Sequence, residues 1–325
     1  MITGEKGVVV PNGSSMFADA DGYQAAMKDV LDLLVIRPRD FRARLNWIEF
    51  LRLYLVRAYE MSPRVAFLTL PPDRVFVTFP ARRGSVLLAG GAVLEFGDIL
   101  VHSPGDRLHQ RTTGACHWGY ISLSTDSLRD LGRTVMGQDL TPPRMSYSMR
   151  LSSEDRQRLL RLHAQAGRIV ETNLALVGQQ EVLYGLEQDL ILALVNCLTN
   201  GERLADRPTL NRQMAMVTRF EALLAEHPYG QLRIADICIE IGASEVSFRT
   251  ACIKVLGISP SRYQLLRRLK SLRSELLRVR PETDNAIEII RRYGFVDVHH
   301  FVAEYWMTYG EMPPLPPRGA RTKGG

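Results

Sequence analysis

Cysteine is scarce in this sequence, and long apolar runs are missing. The 325 residues include four cysteines, Cys116, Cys197, Cys238 and Cys252. They lie far apart except for the last pair, and none has the spacing of a zinc site. This usage argues against a disulfide-stapled secreted domain and predicts a reduced, cytoplasmic compartment. No stretch of eighteen apolar residues occurs, so the sequence predicts no membrane-spanning helix and no membrane partner.

Sequence signals for catalysis are also lacking. There is no Ser–His–Asp arrangement, phosphate-binding loop or pair of catalytic carboxylates with sequence support. The prediction is a protein that is not an enzyme, with no catalytic residue, cofactor or metal. Residues 1–22 carry an acid near the start and no secretory hydrophobic segment, so we expect a flexible tail there.

The last third of the chain contains two segments with the same order of elements, residues 232–260 and 285–313. Each has an apolar-periodic helix, a glycine, a capping residue and a second amphipathic helix. Gly242 and Gly294 supply the positive φ that a tight turn after a helix requires. Ser244 and Asp297 can cap the helix that follows. This order is typical of a helix–turn–helix unit, which lays its second helix in a DNA groove.

Apolar residues recur at helical spacing in both segments and predict a small core for each. The expected core residues are Ile234, Ile237, Ile241, Phe248 and Ile253 in the first segment, and Ile287, Ile290, Phe295, Phe301 and Tyr305 in the second. Two packed helical hairpins with no nucleic-acid role are the alternative interpretation. The repeat, and the segment that joins its two copies, favour DNA binding.

The joining segment has the pattern of one long basic helix. Ser261 to Val279 would span about 29 Å at roughly 1.5 Å per residue, close to the ~34 Å between successive major-groove faces. Leucines form its apolar stripe: Leu265, Leu266, Leu269, Leu272, Leu276 and Leu277. Residues 209–325 hold 17 Lys or Arg and 12 Asp or Glu, which is +5 of the chain's net charge of +6. A solvated helix face explains such charge in general, but beside two helix–turn–helix units phosphate contact is favoured.

Several short motifs follow one another through residues 209–318. They are G-A-S at 242–244, L-G-I-S-P-S-R-Y at 256–263, Arg268 with Leu269, R-Y-G-F at 292–295 and Y-G-E-M-P at 309–313. In this order they resemble the DNA-binding domain of the AraC/XylS transcription regulators. The resemblance implies an all-α double helix–turn–helix domain, of seven helices, that binds double-stranded DNA.

The same resemblance, carried over residue by residue, implies which side chains contact DNA. The candidates are Ser244, Val246, Ser247, Arg249 and Thr250 in the first recognition helix, and Val298, His299, Val302 and Ala303 in the second. Many family members place a guanine-binding arginine where this chain has Thr250 and Ala303. Arg249 is therefore the best single candidate for base reading, and His299 is the obvious polar reader of the second helix. The expected phosphate contacts are Arg262 and Arg268.

The pattern of residues 41–123 predicts mainly short strands separated by turn residues. The predicted strands are 51–55, 65–70, 75–79, 85–89, 93–96, 99–102 and 117–123. Short strands with such turns suggest a sandwich or a barrel. Residues 90–114 resemble, more weakly, the cupin-like ligand domain of the same regulators. This implies a sensing domain over residues 23–150 that binds a small-molecule effector.

The histidines of the strand region leave a second hypothesis open. Cupin enzymes bind a metal through clustered histidines and a carboxylate, whereas the spacing of His102, His109 and His117 does not match that pattern. We expect these side chains to bond the backbone or face solvent. A metal-dependent cupin enzyme fused to a DNA-binding module is the alternative.

Two helical patterns follow, at 153–171 and 179–198. The second places Val182, Leu183, Leu186, Leu190, Leu194 and Leu198 on one broad face. Packing within the domain is one use of this face. A dimer seam through Leu186, Leu190 and Leu194 is the sharper alternative, so residues 151–204 are assigned as a helical linker and dimerisation region.

Together these patterns predict an α+β protein. A cupin-like β-barrel or sandwich with flanking helices precedes the helical domain of residues 209–318. The expected function is sequence-specific regulation of transcription under small-molecule control. A homodimer is the expected assembly, and RNA polymerase is a candidate partner.

Overall fold

The computed structural model describes residues 2–3, 9–10, 12–27, 31–36, 41–137, 139–205, 208–230, 232–278 and 286–315. The chain separates into two compact units. The first comprises residues 1–35 and 40–210, and the second comprises residues 36–39 and 211–325. The first is rich in strands and the second is helical, so the predicted α+β class is confirmed.

The first unit is built on antiparallel strands. Those described are β1 Ile2–Thr3, β2 Val9–Val10, β3 Asn12–Phe17, β4 Leu31–Val35, β5 Ala43–Glu49, β6 Leu53–Glu60, β7 Arg64–Thr69, β8 Arg74–Pro80, β9 Leu87–Ala89, β10 Ala92–Leu94, β11 Asp98–Val101, β12 Arg107–Thr112, β13 Cys116–Ser124, β14 Tyr147–Arg150 and β15 Glu202–Arg203. One sheet has the order β10-β9-β12-β7-β4, and the other has the order β15-β14-β11-β8-β13-β6-β5-β3. The strands β1 and β2 pair with each other.

The two large sheets face each other as a sandwich rather than a closed barrel. Side chains alternate along each strand, so a strand of the eight-stranded sheet feeds two cores. On β8, Phe76 joins a core shared with the five-stranded sheet. Val75, Val77 and Phe79 join a second core on the opposite face.

Helices cover that opposite face. The helices of this unit are α1 Ala20–Ala26, α2 Thr125–Met136, α3 Ser153–Thr172, α4 Leu174–Val177 and α5 Gln180–Asn200. Helices α2, α3 and α5 contribute buried residues to the second core. The unit therefore has three layers: a five-stranded sheet, an eight-stranded sheet and a layer of helices.

Burial corrects the proposed dimer seam on α5. Leu186, Leu190 and Leu194 are buried in the core beneath the helices, and Leu190 is 0% exposed. They therefore cannot also meet a second chain, and their use is core packing. Among the described helices α5 is the one whose length and hydropathy would suit a membrane span, and a helix packed on a core meets the same criteria.

The structure also corrects the second half of the flexible tail predicted for residues 1–22, over the described residues 12–22. Strand β3 pairs with β5 along its whole length, from Asn12 opposite Ile48 to Phe17 opposite Ala43. Helix α1 follows, capped by Asp19, whose carboxylate accepts from the backbone N–H of Gly22 at 2.6 Å. Polar residues dominate this segment because β3 is an edge strand, so its sequence resembles that of a loop.

Six helices of the second unit lie in the described part of the chain, against the seven expected. They are α6 Pro208–Glu226, α7 Ile234–Ile241, α8 Glu245–Val255, α9 Pro260–Arg278, α10 Ala286–Arg292 and α11 Val298–Tyr309. The predicted core residues Ile237, Ile241, Phe248, Ile290, Phe295, Phe301 and Tyr305 are buried, and Ile234 is partly buried. Ile253 and Ile287 are about half exposed, and for these two the core prediction is wrong because they fall one position outside the buried stripe of their helices.

Candidate nucleic-acid interface

The first helix–turn–helix unit has the geometry that its glycine and serine predict. Helix α7 ends at Ile241, and Gly242 takes a left-handed φ of 67°. The hydroxyl of Ser244 then caps α8 by accepting from the backbone N–H of Ser247 at 3.2 Å. The turn is closed by a bond from the Ala243 N–H to the carbonyl of Cys238 at 3.0 Å. These local bonds fix the angle at which α8 leaves the turn.

Helix α8 presents one face to the core and the opposite face to solvent. Phe248, Ala251, Cys252 and Val255 are buried, and the Phe248 ring meets that of Phe220 edge to face at 5.0 Å. The five candidate DNA contacts of this helix, Ser244, Val246, Ser247, Arg249 and Thr250, are all exposed. The structure therefore brings the first set of site residues together on one accessible surface.

Two of these side chains are lightly restrained. The guanidinium of Arg249 lies 3.6 Å from the Glu245 carboxylate, and both side chains are more than half exposed. A pair of this kind contributes little in water, so Arg249 can exchange it for a base. The hydroxyl of Thr250 donates to the carbonyl of Val246 at 2.8 Å, which turns its methyl group outward.

The second helix–turn–helix unit, formed by α10 and α11, repeats the arrangement of the first. Gly294 has a φ of 77°, and the Asp297 carboxylate caps α11 by accepting from the backbone N–H of His299 at 2.8 Å. Hydrogen bonds from the N–H groups of His299 and His300 lower the pKa of Asp297. The negative charge of Asp297 thus lies at the helix N-terminus, where it is favourable.

Helix α11 exposes two of its four candidate contacts fully. His299 and Ala303 are exposed, whereas Val298 and Val302 are half-buried. Phe301 and Tyr305 point into the core formed with α9 and α10. The second surface is therefore less polar than the first, and His299 is the polar side chain among its candidate contacts.

The exposed faces continue one turn beyond the residues named from the sequence. Ile253 follows Val246 and Thr250 along α8 and is 52% exposed. Met307 follows His299 and Ala303 along α11 and is 61% exposed. Extending the helical period by one turn would have found both, but the resemblance on which the site was built names contacts close to each cap.

Helix α9 spans Pro260–Arg278 and joins the two helix–turn–helix units. Its 19 residues give a length of about 28 Å at ~1.5 Å per residue. Leu266, Leu269, Leu272 and Leu276 are buried along it, so α9 is part of the core of its unit as well as a spacer.

Three of the six basic residues of α9 pair with acids of the same unit. Arg262 donates to the Glu304 carboxylate at 3.0 Å, and Arg273 donates to Glu311 at 2.9 Å. Arg267 forms an ion pair with the buried Glu221. The positive charge of this helix therefore has a structural use in addition to any contact with phosphate.

Arg268 corrects the phosphate contact predicted for it. The side chain is buried, donates to the carbonyl of Tyr293 at 3.2 Å and lies over the Phe295 ring at 4.8 Å. Burial lowers its pKa. A guanidinium enclosed in this way cannot reach a phosphate, so Arg268 ties α9 to the turn that begins the second recognition helix. Arg262 is partly exposed, and its phosphate contact stays a prediction.

The three histidines of the strand region, His102, His109 and His117, lie on or beside different strands. His102 follows β11 and its Nε2 is 3.0 Å from the Thr78 hydroxyl. His109 on β12 packs against Phe67, and His117 on β13 stacks on Tyr59 at 4.3 Å. Within the described residues there is no group of three or more His, Cys, Asp or Glu arranged to hold a metal ion.

Two cavities are present in the first unit. One is a small cavity of about 20 Å³ between the sheets. The other is an open groove of about 580 Å³ beside the β5–β6 turn and the start of α5. In the groove the buried Glu187 carboxylate accepts from the backbone N–H groups of Arg52 and Leu53, at 2.6 and 3.1 Å. That carboxylate therefore serves to hold the turn.

Comparison with known proteins gives one family match and one curated relative. A helix-turn-helix domain family matches residues 214–314, which span most of α6 and all of α7 to α11. The chain is 32% identical over 90 residues to the probable thc operon regulatory protein of Rhodococcus erythropolis. That alignment covers 28% of this chain and 27% of the relative, so the match is confined to about a quarter of each protein.

Solved structures resemble the chain over a greater length at lower identity. The AraC-like transcriptional activator CuxR has a TM-score of 0.41 and 16% identity, over 81% of this chain and 94% of its own. The unsaturated fatty acid bound ToxT of Vibrio cholerae has a TM-score of 0.29 and 13% identity, over 82% and 95% of the two chains.

Proposed function

We propose that this chain is a transcription regulator of the AraC/XylS type, which reads duplex DNA through α8 and α11. The observation that carries the proposal is the matched geometry of the two units. Each has a glycine at positive φ, a side-chain cap and a second helix with an exposed face. A helix presented in this way fits the major groove of B-DNA.

Tandem reading of adjacent groove turns is the proposed binding mode. Helix α9 keeps a fixed separation between the two helix–turn–helix units because its leucines are buried in their core. Its length of about 28 Å is near the ~34 Å groove repeat. A single copy of the helical domain therefore suffices to place both recognition helices on one side of the duplex.

Base reading is assigned to Arg249, and the second helix contributes mainly apolar contacts and His299. Arg249 is exposed and its partner Glu245 is equally exposed, so transfer to a guanine edge costs little. Val246, which is 77% exposed, can contact a thymine methyl group. Arg262 is proposed to contact phosphate beside α8.

The first unit is proposed to bind a small effector and to pair two chains in the cytoplasm. Pairing would raise the effective concentration of the second reader on DNA. RNA polymerase is the proposed protein partner of the DNA-bound dimer. Tyr184 and Leu192 on the exposed side of α5 are the α5 residues available for pairing.

The test is binding of the full chain to genomic fragments selected by the chain itself. Neutralising about six phosphates should cost roughly a thousandfold in affinity between 50 and 200 mM salt. Arg249→Ala should weaken binding to the selected fragment by about 1–3 kcal/mol and leave random DNA nearly unaffected.

Arg233→Ala is the matched control because Arg233 is also exposed and paired with an acid, Asp236, one turn along its helix. It precedes α7 and should change neither affinity. Equal losses on selected and random DNA for Arg249→Ala would reject its role in base reading. Failure to retain any fragment would reject DNA binding. A stoichiometric metal together with turnover of a substrate would favour the cupin enzyme.

A further inference from the structure

On its helix-bearing face, the eight-stranded sheet continues past the core into a row of basic and aromatic side chains. Leu53 and Leu55 of β6 belong to the core beneath the helices, and Arg57 and Tyr59 follow on the same face because side chains alternate along a strand. His117 of β13 lies opposite Tyr59 in the register, and the two rings stack at 4.3 Å. This row therefore lies on the other face of the sheet from the cavity between the sheets.

Arg57 enters this row from beneath α3. Gly167 of α3 lies directly over the Arg57 side chain, and a Cβ at that position would be 2.6 Å from the Arg57 Cδ. The glycine therefore makes room for the aliphatic part of Arg57, which is partly buried. Arg168, the next residue of α3, is exposed. Burial lowers the pKa of Arg57, and the positive charge of Arg168 adds to this effect.

Arg82 brings a further positive charge to the row. This exposed residue follows β8, and its Nη1 donates to Nε2 of His117 at 3.4 Å. A guanidinium has five N–H donors, so most of those of Arg82 remain available to another acceptor. Burial, assisted by the positive charges of Arg57 and Arg82, lowers the pKa of His117. The positive charge of the row at neutral pH therefore resides on its arginines.

The acids near this row do not neutralise it. The charge of Glu171 raises the pKa of Arg57, but the Glu171 carboxylate forms its ion pair with Arg44, at 3.6 Å. Among the residues that the structure describes, no acid forms an ion pair with Arg57, Arg82 or Arg168. Positive charges held together repel one another, and partial burial deprives Arg57 of some of its hydration. A bound anion would offset both costs.

We infer that this row binds a doubly charged oxyanion of the phosphate type, held by the guanidinium groups of Arg57, Arg82 and Arg168. A guanidinium presents parallel N–H donors that match two oxygens of a phosphate group. A singly charged carboxylate would leave more of the positive charge uncompensated, so the row favours the doubly charged group. The site lies apart from the recognition helices α8 and α11, and it adds a binding function to the DNA reading proposed above.

Calorimetric titration of the full chain at fixed ionic strength tests this site. Inorganic phosphate should bind at millimolar concentration or below, and acetate should bind at least tenfold more weakly. Arg57→Met and Arg82→Met each remove a guanidinium, so each should weaken phosphate binding about tenfold. Arg129→Met is the matched control, because it removes one positive charge from α2, which follows the far end of β13. It should leave phosphate binding unchanged.

Three results would each overturn the inference: no phosphate binding by the wild-type chain, acetate binding as well as phosphate, or the same loss in Arg129→Met as in the two test variants. Arg82 is exposed, so Arg82→Met decides even if Arg57→Met fails to fold.

Binding of the same variants to the selected DNA fragment identifies the source of the phosphate. Unchanged DNA affinity assigns the site to a free phosphate compound, whereas parallel losses for DNA and phosphate assign it to the DNA backbone. Phosphate binding by a chain that retains no DNA fragment would reject the proposed function and leave this site in place.

Discussion

Arginine side chains in the helical unit have different roles according to their burial. Arg249 on α8 is exposed and weakly paired, so it is available to DNA. Arg268 on α9 is enclosed, with one hydrogen bond to the Tyr293 carbonyl and a ring contact with Phe295. The same residue type is therefore accessible to solvent in one position and holds the fold in the other.

Replacing Arg268 should mainly lower the free energy of unfolding and should have a smaller effect on binding to DNA phosphates. Arg268→Met keeps much of the side-chain volume but leaves the Tyr293 carbonyl without its donor. A hydrogen bond that involves a charged group contributes about 1.5–3 kcal/mol, so the free energy of unfolding should fall by about 2 kcal/mol in chemical denaturation. Arg278→Met is the control, since Arg278 is exposed at the end of the same helix. Unchanged stability combined with uniformly weaker binding to all DNA would restore the phosphate role.

At the scale of elements, α5 shows that an apolar stripe in the sequence does not reveal which surface the helix packs against. Its apolar face is clear in the sequence, but a stripe buried in a core and a stripe buried in a dimer have the same spacing. The structure places Leu186, Leu190 and Leu194 against the eight-stranded sheet and its helices. The exposed side carries Tyr184 and Leu192 instead.

Aspartate scanning of α5 should separate these two faces. Leu190→Asp puts a carboxylate at a position that is 0% exposed, where burying an unpaired charge costs several kcal/mol. We expect loss of the folded state of the first unit, seen as a collapse of its thermal transition. Leu192→Asp, at a position 40% exposed, should keep the fold. A folded monomer produced by Leu190→Asp, with wild-type melting, would show that the dimer seam was correct.

Local signals predicted the helical unit far better than the strand-rich unit. A glycine at positive φ and a serine or aspartate cap determine a turn within a few residues, and Gly242, Ser244 and Asp297 behave as predicted. Strands were recognised where apolar residues cluster, as in β8 and β13. Strands β3, β4, β5, β12 and β14 were not among the predicted strands. In β3 and β12 the many polar residues do not show the apolar alternation expected of a half-buried strand.

Features that depend on distant residues were beyond the sequence. The burial of Arg268 follows from packing against Phe295, 27 positions later in the chain, and no local pattern encodes it. The cavity likewise collects Met27, Phe76, His102 and Trp118 from separate strands and a helix. The sequence predicts that the His102 side chain bonds the backbone or faces solvent. In the structure it bonds the Thr78 hydroxyl beside a cavity.

At the scale of the molecule, two histidines are held neutral inside the first unit. The Nε2 of His163 donates to the Val56 carbonyl at 2.9 Å, and its ring occupies space that Gly119 leaves free, since a Cβ there would overlap it. Burial, assisted by the positive charge of Arg57, lowers the pKa of His163 to about 3. Burial lowers the pKa of His102 to about 4, against the opposing effect of Asp106.

These two pKa values predict how stability changes with acidity. In the unfolded chain both histidines titrate near pH 6.5, so above that pH they are neutral in both states and their contribution to stability is complete. As pH falls below about 6.5 the unfolded chain binds protons that the folded chain refuses, and stability falls until the folded pKa values of about 3 and 4 are reached. Each histidine should remove up to about 1.4 kcal/mol per pH unit.

Urea unfolding between pH 7 and pH 5 should therefore show declining stability. The double variant His102→Gln with His163→Gln should be less stable at pH 7 but should show a shallower decline, whereas His300→Gln, at an exposed position, should keep the wild-type slope. A wild-type slope in the double variant would mean that other groups produce the pH dependence.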